Sequence, residues 1–280
     1  MWRSSNVVSV LRALYVDLDG TLLGPNASLL TGADGEFSLA GVRALQACAR
    51  AGVEVVIYSG RRQSGVAEDA RLMGQRSYIF ELGAGLVLDG ELEWLTGDCV
   101  PSPEAGTIHQ QIAASGAPQR LLEVFAGRLE YHVPWSIGRE VSHLFRGQVE
   151  RDEVDAVLAD GHDWLRLVDN GVMAPHGPSA GFVDYGLSDE IVRVHGYHLV
   201  PAVASKARAV ARHMQNRGYS REECIACGDS REDMDAVEVV GTFWMMRNGL
   251  NDDPTLTADI ARAGARVSTE SFGRVCMRLW

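Results

Sequence analysis

The sequence lacks the features that would place it on a nucleic acid, in a membrane or outside the cell. Its formal net charge is -11, with 26 Lys and Arg against 37 Asp and Glu, whereas a nucleic-acid surface needs clustered Lys and Arg. No apolar run approaches the length of a membrane span. No apolar leader with a small-residue cleavage site precedes the first predicted strand. We therefore expect a cytoplasmic protein that binds neither nucleic acid nor membrane.

Cysteine is scarce and scattered. The five cysteines are odd in number, unlike the framework of a disulfide-rich secreted protein. Cys224 and Cys227 have the spacing of a redox or zinc pair, but no second pair completes a zinc set. They lie in an apolar run that predicts a buried strand, on which residues three apart face opposite sides. We interpret them as buried structural cysteines.

Strand and helix patterns alternate at both ends of the chain, whose 280 residues are enough for two modest domains. In the first part, buried strands are predicted at 13–16, 53–58 and 77–82, with amphipathic helices at 39–52 and 61–74. From residue 205, the predicted elements are a helix at 205–217, a strand at 224–227, a helix near 234–240, a strand at 242–246 and a helix near 272–279. This rhythm is typical of a parallel sheet with crossover helices. It predicts two halves of one α/β sheet.

The middle of the chain differs from both ends, since it holds most of the histidines and prolines. Its predicted helices are at 104–114 and 152–159, and its predicted strands are at 128–133, 141–145, 164–168 and 191–195. We therefore predict a Rossmann-like parallel-sheet core at 1–85 and 199–280, with an inserted α+β domain at 86–198.

Two acids follow the first predicted strand and enter a glycine turn. Asp17 and Asp19 would face the same way on a continued strand, and two such charges about 4 Å apart repel by roughly 4 kcal/mol at an effective dielectric near 20. A cation should therefore lie beside them. The turn at Gly20 and Thr21 lets backbone N–H groups approach an anion. These are also ordinary turn residues, so phosphate chemistry is indicated only if other parts of a phosphate site are present.

Three further groups could supply those parts. Ser59 and Gly60 offer a hydroxyl and N–H groups at a helix start, although Ser-Gly is commonly only a helix cap. Lys206 opens a helix and can neutralise a phosphoryl group, although a single Lys is usually solvated. Asp229 and Asp233 lie one helical turn apart and suit Mg²⁺, although acids also favour helix N-termini. Open α/β sheets bind ligands at the carboxyl ends of their strands, where all of these groups are predicted to lie. Their coincidence there favours one phosphate site over a separate structural explanation for each group.

These residues resemble the motifs of the haloacid dehalogenase superfamily of phosphohydrolases. The large-cap sugar phosphatases of subclass IIB, which are the Cof-like and mannosyl-3-phosphoglycerate phosphatase-like branch, look most similar. The resemblance covers residues 14–85 and 198–280, and the middle matches mainly in length and position, where the family has its cap domain. It rests on four motifs, which are Asp17-x-Asp19-Gly20-Thr21, Ser59-Gly60-Arg61, Lys206 and Gly228-Asp229-Ser230-x-x-Asp233.

The resemblance implies a Mg²⁺-dependent phosphomonoester hydrolase that works through an aspartyl-phosphate. Asp17 would be the nucleophile, and Asp19 would protonate the leaving oxygen and then activate water. Mg²⁺ would be held by Asp17, Asp229 and the Asp19 backbone carbonyl, with Asp233 in support. The implied phosphate-binding residues are Gly20, Thr21, Ser59, Gly60, Lys206 and Asn248. The expected partner is a small phosphorylated metabolite, with a sugar phosphate as the expected class.

Two features bear on the substrate. Leu82-Gly83-Ala84 stands where the branch usually has Asn-Gly-Ala, so an expected polar contact is absent. Arg side chains suit phosphate or carboxylate groups, and the basic residues of the middle segment lie near the aromatic Trp135. The candidates for substrate specificity are Arg61, Arg139, His143 and Arg146. The alternative is a solvated edge with scattered basic residues.

Two other activities stay open at this stage. A phosphomutase of the same fold would return the phosphoryl group to its substrate. A binding or regulatory module would keep the fold without turnover, and the intact Asp17, Asp19, Lys206 and Asp229 argue against it.

Overall fold

The fold is known from a computed structural model, which describes residues 10–32, 34–173 and 186–269. The helix predicted near 272–279 lies outside them. The strands are β1 Ala13–Val16, β2 Glu54–Tyr58, β3 Tyr78–Phe80, β4 Gly85–Leu88, β5 Glu91–Trp94, β6 Leu129–Tyr131, β7 His143–Gly147, β8 Leu165–Met173, β9 Val194–Pro201, β10 Cys224–Gly228, β11 Thr242–Met245 and β12 Arg266–Val267. The α-helices are α1 Ala40–Ala51, α2 Gln63–Leu72, α3 Ile108–Ala114, α4 Ala117–Val124, α5 Arg151–Leu158, α6 Lys206–Arg217, α7 Arg231–Met234, α8 Arg247–Asp252 and α9 Leu256–Ala263.

Both ends of the chain contribute to one core sheet, with the strand order β12-β11-β10-β1-β2-β3-β4-β5. The pairs from β12 through β3 are parallel, and β4 and β5 add an antiparallel edge. β1 lies between β10 and β2, so strands far apart in sequence end beside one another. The prediction of an α/β fold built from two halves of one parallel sheet is confirmed.

The central strands are buried on both faces, as parallel strands under crossover helices should be. Every residue of β1 is at most 3% exposed. Along β10, Cys224 packs in the cluster on one face of the sheet, and Cys227 packs in the cluster on the other face. The two cysteines therefore point to opposite sides, as the alternation of a strand predicts.

The inserted domain, here called the cap domain, is built on an antiparallel sheet with the order β6-β7-β9-β8. Helices α3, α4 and α5 cover one face of this sheet, where Phe145 and Leu199 are fully buried. The opposite face lies toward the core domain, since Val168 and Val200 pack against Leu82 of the core. Alternation along each strand thus divides the cap side chains between a helix-covered face and a core-facing one.

The core sheet extends further than the predicted boundary at residue 85. The β4–β5 hairpin belongs to it, so its first segment continues to Trp94. Asp89 and Gly90 make the hairpin turn with positive φ angles of 52° and 95°, a combination that Asp-Gly tolerates. At the other boundary, predicted at residue 198, β9 continues the cap sheet to Pro201.

Several elements differ from their predicted bounds. The helix predicted at 104–114 begins at Ile108, because Thr107 caps it by accepting from the Gln110 N–H. The helix predicted near 234–240 is a short α7 followed by a 3-10 turn at Asp235–Glu238. Helices α4 and α9 were not predicted, and both are eight-residue elements with only one or two turns of apolar pattern.

His143 lies on the helix-covered face of the cap sheet. Its ring stacks on His109 with centroids 3.8 Å apart. Its Nε2 donates to the His109 carbonyl oxygen at 3.0 Å, so Nδ1 accepts from the Tyr131 hydroxyl at 2.9 Å. Burial, and then the neighbouring His109, lower the pKa of His143 to about 4. Both nitrogen atoms of the neutral ring are therefore hydrogen-bonded.

We expect this histidine to make stability depend on pH. The folded-state pKa lies below the ordinary value, so the unfolded chain binds the extra proton, and stability falls as the pH drops from about 6.5 toward 4. For one such group the loss between pH 7 and pH 5 is about 2 kcal/mol. Urea unfolding at both pH values should show a loss smaller by about that amount in His143→Gln than in the parent protein. An equal loss in the two proteins would contradict this account.

Candidate active site

The predicted site residues lie at the carboxyl edge of the core sheet. Asp17 follows β1, Ser59 follows β2, Asp229 follows β10, Asn248 opens α8 after β11, and Lys206 is the first residue of α6. Because β1 is flanked by β10 and β2, the loops after these strands meet. The geometry therefore brings together residues that are up to 231 positions apart between Asp17 and Asn248.

Three carboxylates form the centre of this edge. Asp17, Asp229 and Asp233 each contribute an oxygen atom, and these atoms all lie within 4.8 Å of one another. Burial raises the pKa of Asp17 to about 7, although the Lys206 ammonium opposes this shift. Burial and the other two carboxylates also raise the pKa of Asp229. Like charges this close in a buried place need a cation among them.

Lys206 supplies one positive charge and is the only lysine of the sequence. Its Nζ donates to Asp17 Oδ1 at 2.8 Å and to Asp233 Oδ1 at 2.5 Å. The residue is 1% exposed, and its ammonium lies 5.0 Å from the centre of the Tyr58 ring. Burial alone would lower the pKa of Lys206, but the two carboxylates raise it above its ordinary value, so the ammonium stays charged.

Asp233 is held from both sides. Its Oδ2 accepts from the Ser230 hydroxyl at 2.7 Å, from the Ser230 N–H at 3.0 Å and from the Asp229 N–H at 3.2 Å. Its Oδ1 accepts from Lys206. These bonds fix the loop that carries Asp229, so Asp233 supports the cluster by orienting its neighbours.

Gly20, Thr21 and Asn248 surround Asp229. Gly20 has a φ angle of 80°, and a Cβ there would lie 1.9 Å from Asp229 Oδ2, so only glycine permits this approach. The Thr21 hydroxyl donates to Asp229 Oδ1 at 3.2 Å. The Asn248 amide donates to the Gly20 carbonyl at 2.8 Å and to Asp229 Oδ2 at 3.3 Å. Thr21 and Asn248 are predicted to bind phosphate. In the structure, both side chains contact the carboxylate of Asp229.

Asp19 is paired with Arg61. The guanidinium donates to both carboxylate oxygens of Asp19, at 2.7 and 2.6 Å, and to Asp69 at 2.8 Å. The Asp19 side chain is 56% exposed, in contrast to the buried Asp17. Ser59 lies nearby, 2% exposed, with its hydroxyl oxygen accepting from the Arg61 N–H at 3.3 Å. Arg61, predicted as a specificity residue, holds Asp19 in place.

A contact between the core and the cap, centred on Glu81, was not predicted. The Glu81 side chain is fully buried and accepts from the backbone N–H groups of Glu140, Val141 and Ser142 at 2.8, 3.2 and 2.6 Å. It also accepts from the Ser142 hydroxyl at 2.7 Å. A single acid in a turn gave no signal for this role, because its partners lie about sixty positions away. It fixes the cap loop before β7 to the core.

The three cap candidates for specificity have different surroundings. Arg139 reaches the core and donates to the Gly60 carbonyl at 3.0 Å. Arg146 lies on the core-facing side of the cap sheet, 6% exposed, and pairs with Glu130 at 2.6 Å. His143 lies on the opposite, helix-covered face. The structure therefore brings Arg139 to the loop after β2 and leaves His143 inside the cap.

Comparison with known proteins agrees with this geometry. A match to the haloacid dehalogenase-like hydrolase family covers residues 190–253, which carry Lys206, Asp229 and Asp233. A phosphatase, YwpJ, of Bacillus subtilis is 23% identical over 86% of this chain and 91% of its own length. A phosphoglycolate phosphatase of Methanoculleus marisnigri is 24% identical over 94% and 93%. The chain is therefore similar to haloacid dehalogenase-like hydrolases over this segment and to curated phosphatases over most of its length.

Solved structures give the same fold. The sucrose-phosphatase of Synechocystis, in complex with sucrose and phosphate, has a TM-score of 0.60 at 14% identity and covers 96% of both chains. A haloacid dehalogenase-like hydrolase of Bacteroides thetaiotaomicron has a TM-score of 0.57 at 15% identity and covers 96% of this chain and 100% of its own. The predicted fold class is confirmed, and the family match and the curated phosphatases agree with the predicted family and enzyme class, a phosphatase. Within the described residues, no helix is long and apolar enough to cross a membrane.

Because the Lys206 ammonium is buried between two carboxylates, we expect its removal to lower the free energy of unfolding strongly. In Lys206→Met, Asp17 and Asp233 would stay buried without their partner, which typically costs about 3–5 kcal/mol. Urea unfolding in metal-free buffer measures the loss. Arg208→Met is the matched control, because Arg208 lies on the same helix but is exposed, and it should change the free energy of unfolding by less than about 0.5 kcal/mol. Equal losses in the two variants would contradict the assignment.

Proposed function

We propose that the protein is a Mg²⁺-dependent phosphomonoester hydrolase that acts on a small phosphorylated metabolite, with a sugar phosphate as the substrate class. The observation that carries this proposal is the cluster of Asp17, Asp229 and Asp233, whose carboxylate oxygens lie within 4.8 Å of one another beside the buried Lys206 ammonium. Such a cluster combines a nucleophile with the charges that phosphoryl transfer requires.

The donor atoms suit Mg²⁺. The ion prefers carboxylate and carbonyl oxygens together with water and phosphate oxygens, and the cluster offers oxygen atoms only. Lys206 supplies one positive charge for three carboxylates, which leaves negative charge for a divalent ion to balance. Asp17 and Asp229 would hold the ion with the Asp19 backbone carbonyl, and Asp233 would support them. When bound, Mg²⁺ would neutralise charge on the phosphoryl oxygens.

Asp17 would act as the nucleophile. Its Oδ1 is bound by Lys206, which stabilises the ionised form and fixes the carboxylate. Attack on phosphorus would break the bond to the leaving oxygen and form an aspartyl-phosphate. A water molecule would then attack that phosphorus and regenerate Asp17.

Asp19 would transfer the protons. Its side chain is half exposed, so it can exchange protons with solvent and can reach a substrate oxygen. A protonated Asp19 would donate to the leaving oxygen in the first step, and the carboxylate so produced would take a proton from water in the second. The phosphate itself would be received by Ser59, Gly60 and Lys206, with Gly20, Thr21 and Asn248 shaping the loop around Asp229.

A cleft between the domains supports a neutral leaving group. It lies between the cap strands β8 and β9 and the loop that carries Asp229. Its lining includes Asp169, Asn170, His195, Arg231, Asp252 and Asp253. Arg231 is engaged by Asp253 and Asp259, so among the described lining residues no arginine is left to pair with a second acidic group. Hydroxyl groups can bond to such amide and carboxylate side chains, which favours a sugar over an acid.

Substitution of the nucleophile tests the reaction. We expect Asp17→Asn to lower phosphate release from a panel of sugar phosphates by about 10³-fold or more, because an amide does not attack phosphorus. Asp160→Asn is the control, since Asp160 is an exposed acid of the cap domain, and it should keep the parent rate. Full activity in Asp17→Asn would contradict the assigned nucleophile. An isomerised sugar phosphate without free phosphate would show a mutase instead.

Thermal unfolding tests the metal site without turnover. Mg²⁺ that binds only the folded protein should stabilise it, by about 2.7 kcal/mol at a hundredfold excess over the dissociation constant. We expect EDTA to reverse the rise in melting temperature and Asp229→Asn to remove most of it, whereas Asp160→Asn should retain it. An unchanged Mg²⁺ response in Asp229→Asn would place the metal elsewhere.

A further inference from the structure

The loop after β2 receives a side chain from the cap domain. Arg139 Nη1 donates to the Gly60 carbonyl oxygen at 3.0 Å. Gly60 stands between Ser59, which belongs to the proposed phosphate cradle, and Arg61, which holds Asp19. A cap residue therefore bonds to the backbone at the point where two parts of the proposed site are joined.

That hydrogen bond also determines where an N–H group points. The Gly60 carbonyl and the Arg61 N–H belong to one planar trans peptide unit, so they point in opposite directions. With the carbonyl bound by Arg139, the N–H points the other way and donates to the Ser59 hydroxyl oxygen at 3.3 Å. Because the hydroxyl oxygen accepts this bond, its own hydrogen can be donated to a phosphate oxygen.

Arg139 is itself held firmly. It is 9% exposed, and its Nε donates to the Trp135 carbonyl at 2.9 Å. Its Nη1 also donates to the Ser142 hydroxyl at 3.0 Å, and that hydroxyl donates to Glu81. Glu81 fixes the same cap loop to the core, so the guanidinium can reach Gly60 only while the cap loop is seated on Glu81.

The cap also packs closely on Gly60. A Cβ at this position would lie 3.3 Å from His198 Nε2 and 3.4 Å from Asn170 Nδ2, two side chains of the cap sheet. Burial lowers the pKa of His198 well below its ordinary value, so its neutral ring adds no charge next to the phosphate loop. These contacts and the Arg139 bond act on the same peptide unit.

We propose that Arg139 is a positioning residue, which orients the Gly60–Arg61 peptide and through it the Ser59 hydroxyl when the cap is seated on the core. Arg139 acts on the phosphate site through the backbone and has no contact with the phosphate itself. The assignment of Ser59 to phosphate binding rests on the proposed function, but the orientation of the peptide does not.

Amide hydrogen exchange tests the orientation without any ligand. We expect Arg139→Met to raise the exchange rate of the Arg61 amide by about tenfold, because its peptide unit loses a hydrogen bond. Arg62→Met is the matched control. Arg62 also bridges the domains, by donating to the Ile137 carbonyl at 2.9 Å, but it does not bond to this peptide unit and should leave the Arg61 amide unchanged. Equal exchange in the parent and Arg139→Met proteins would overturn the proposal.

A double-mutant cycle tests the action through Ser59, with inorganic phosphate as the probe in the presence of Mg²⁺. Calorimetry should show that Arg139→Met weakens phosphate binding by about tenfold in the parent, and by less than about twofold in Ser59→Ala. The effect of Arg62→Met should be the same in both backgrounds. Full additivity of Arg139→Met with Ser59→Ala would overturn the route through the hydroxyl.

A second variant covers the case in which Arg139→Met does not fold. Ser142→Ala removes a hydroxyl that orients Arg139 but leaves its charge, and it should change both measurements in the same direction by a smaller factor. No change in Ser142→Ala would contradict the proposal. A failure of the proposed function would give a different result, namely no phosphate release from any ester by the parent protein. The hydrogen-exchange result does not depend on that activity and would still test the orientation of the peptide.

Discussion

The structure depends on one buried ammonium group. Lys206 lies between Asp17 and Asp233, and it joins the start of α6 to the loops after β1 and β10. Taking three charged groups out of water is costly, and the cost is offset only where the geometry satisfies each of them. Here both carboxylate oxygens of Asp233 accept hydrogen bonds, and Lys206 binds Oδ1 of Asp17. The same contact that stabilises the loops would therefore also orient Asp17 for its proposed role as the nucleophile.

The contact between the cap and the core depends on a strained turn at Glu81 and Leu82. Glu81 and Leu82 both have positive φ angles, of 45° and 59°, which cost about 1 kcal/mol or more for each such residue. The four hydrogen bonds that Glu81 accepts from the cap offset this cost, since bonds to a charged acceptor are stronger than neutral ones. Leu82 replaces the expected Asn and packs on Val168 and Val200. An apolar contact with the cap thus stands in place of a polar one.

The core could be predicted because its signals are local. Each buried strand is followed by its motif, and parallel strands bring such motifs to one edge, so Asp17 and Asp229 could be paired from sequence. The roles of Thr21 and Glu81 could not, because their partners lie far away in the chain and depend on the packing of two domains. One unused signal was available. In a chain with 26 basic residues and a single Lys, that lysine is a marked exception, and Arg and Lys differ in the compactness of their charge.

In the proposed reaction, catalysis belongs to the core domain and substrate selection to the cap domain, and the two domains meet at the Gly60 peptide and near Asp229. Asp229 belongs to the carboxylate cluster and also lines the cleft below β8 and β9, so a leaving group in that cleft would lie beside the charges that act on its phosphate. Gly60 is bonded to the cap on its carbonyl side, and the N–H of the same peptide unit bonds to Ser59. The two domains must therefore come together before the site is complete. In the proposed reaction, water would compete for the phosphoryl group least in that closed arrangement, which gives a physical reason for orienting the Ser59 loop from the cap.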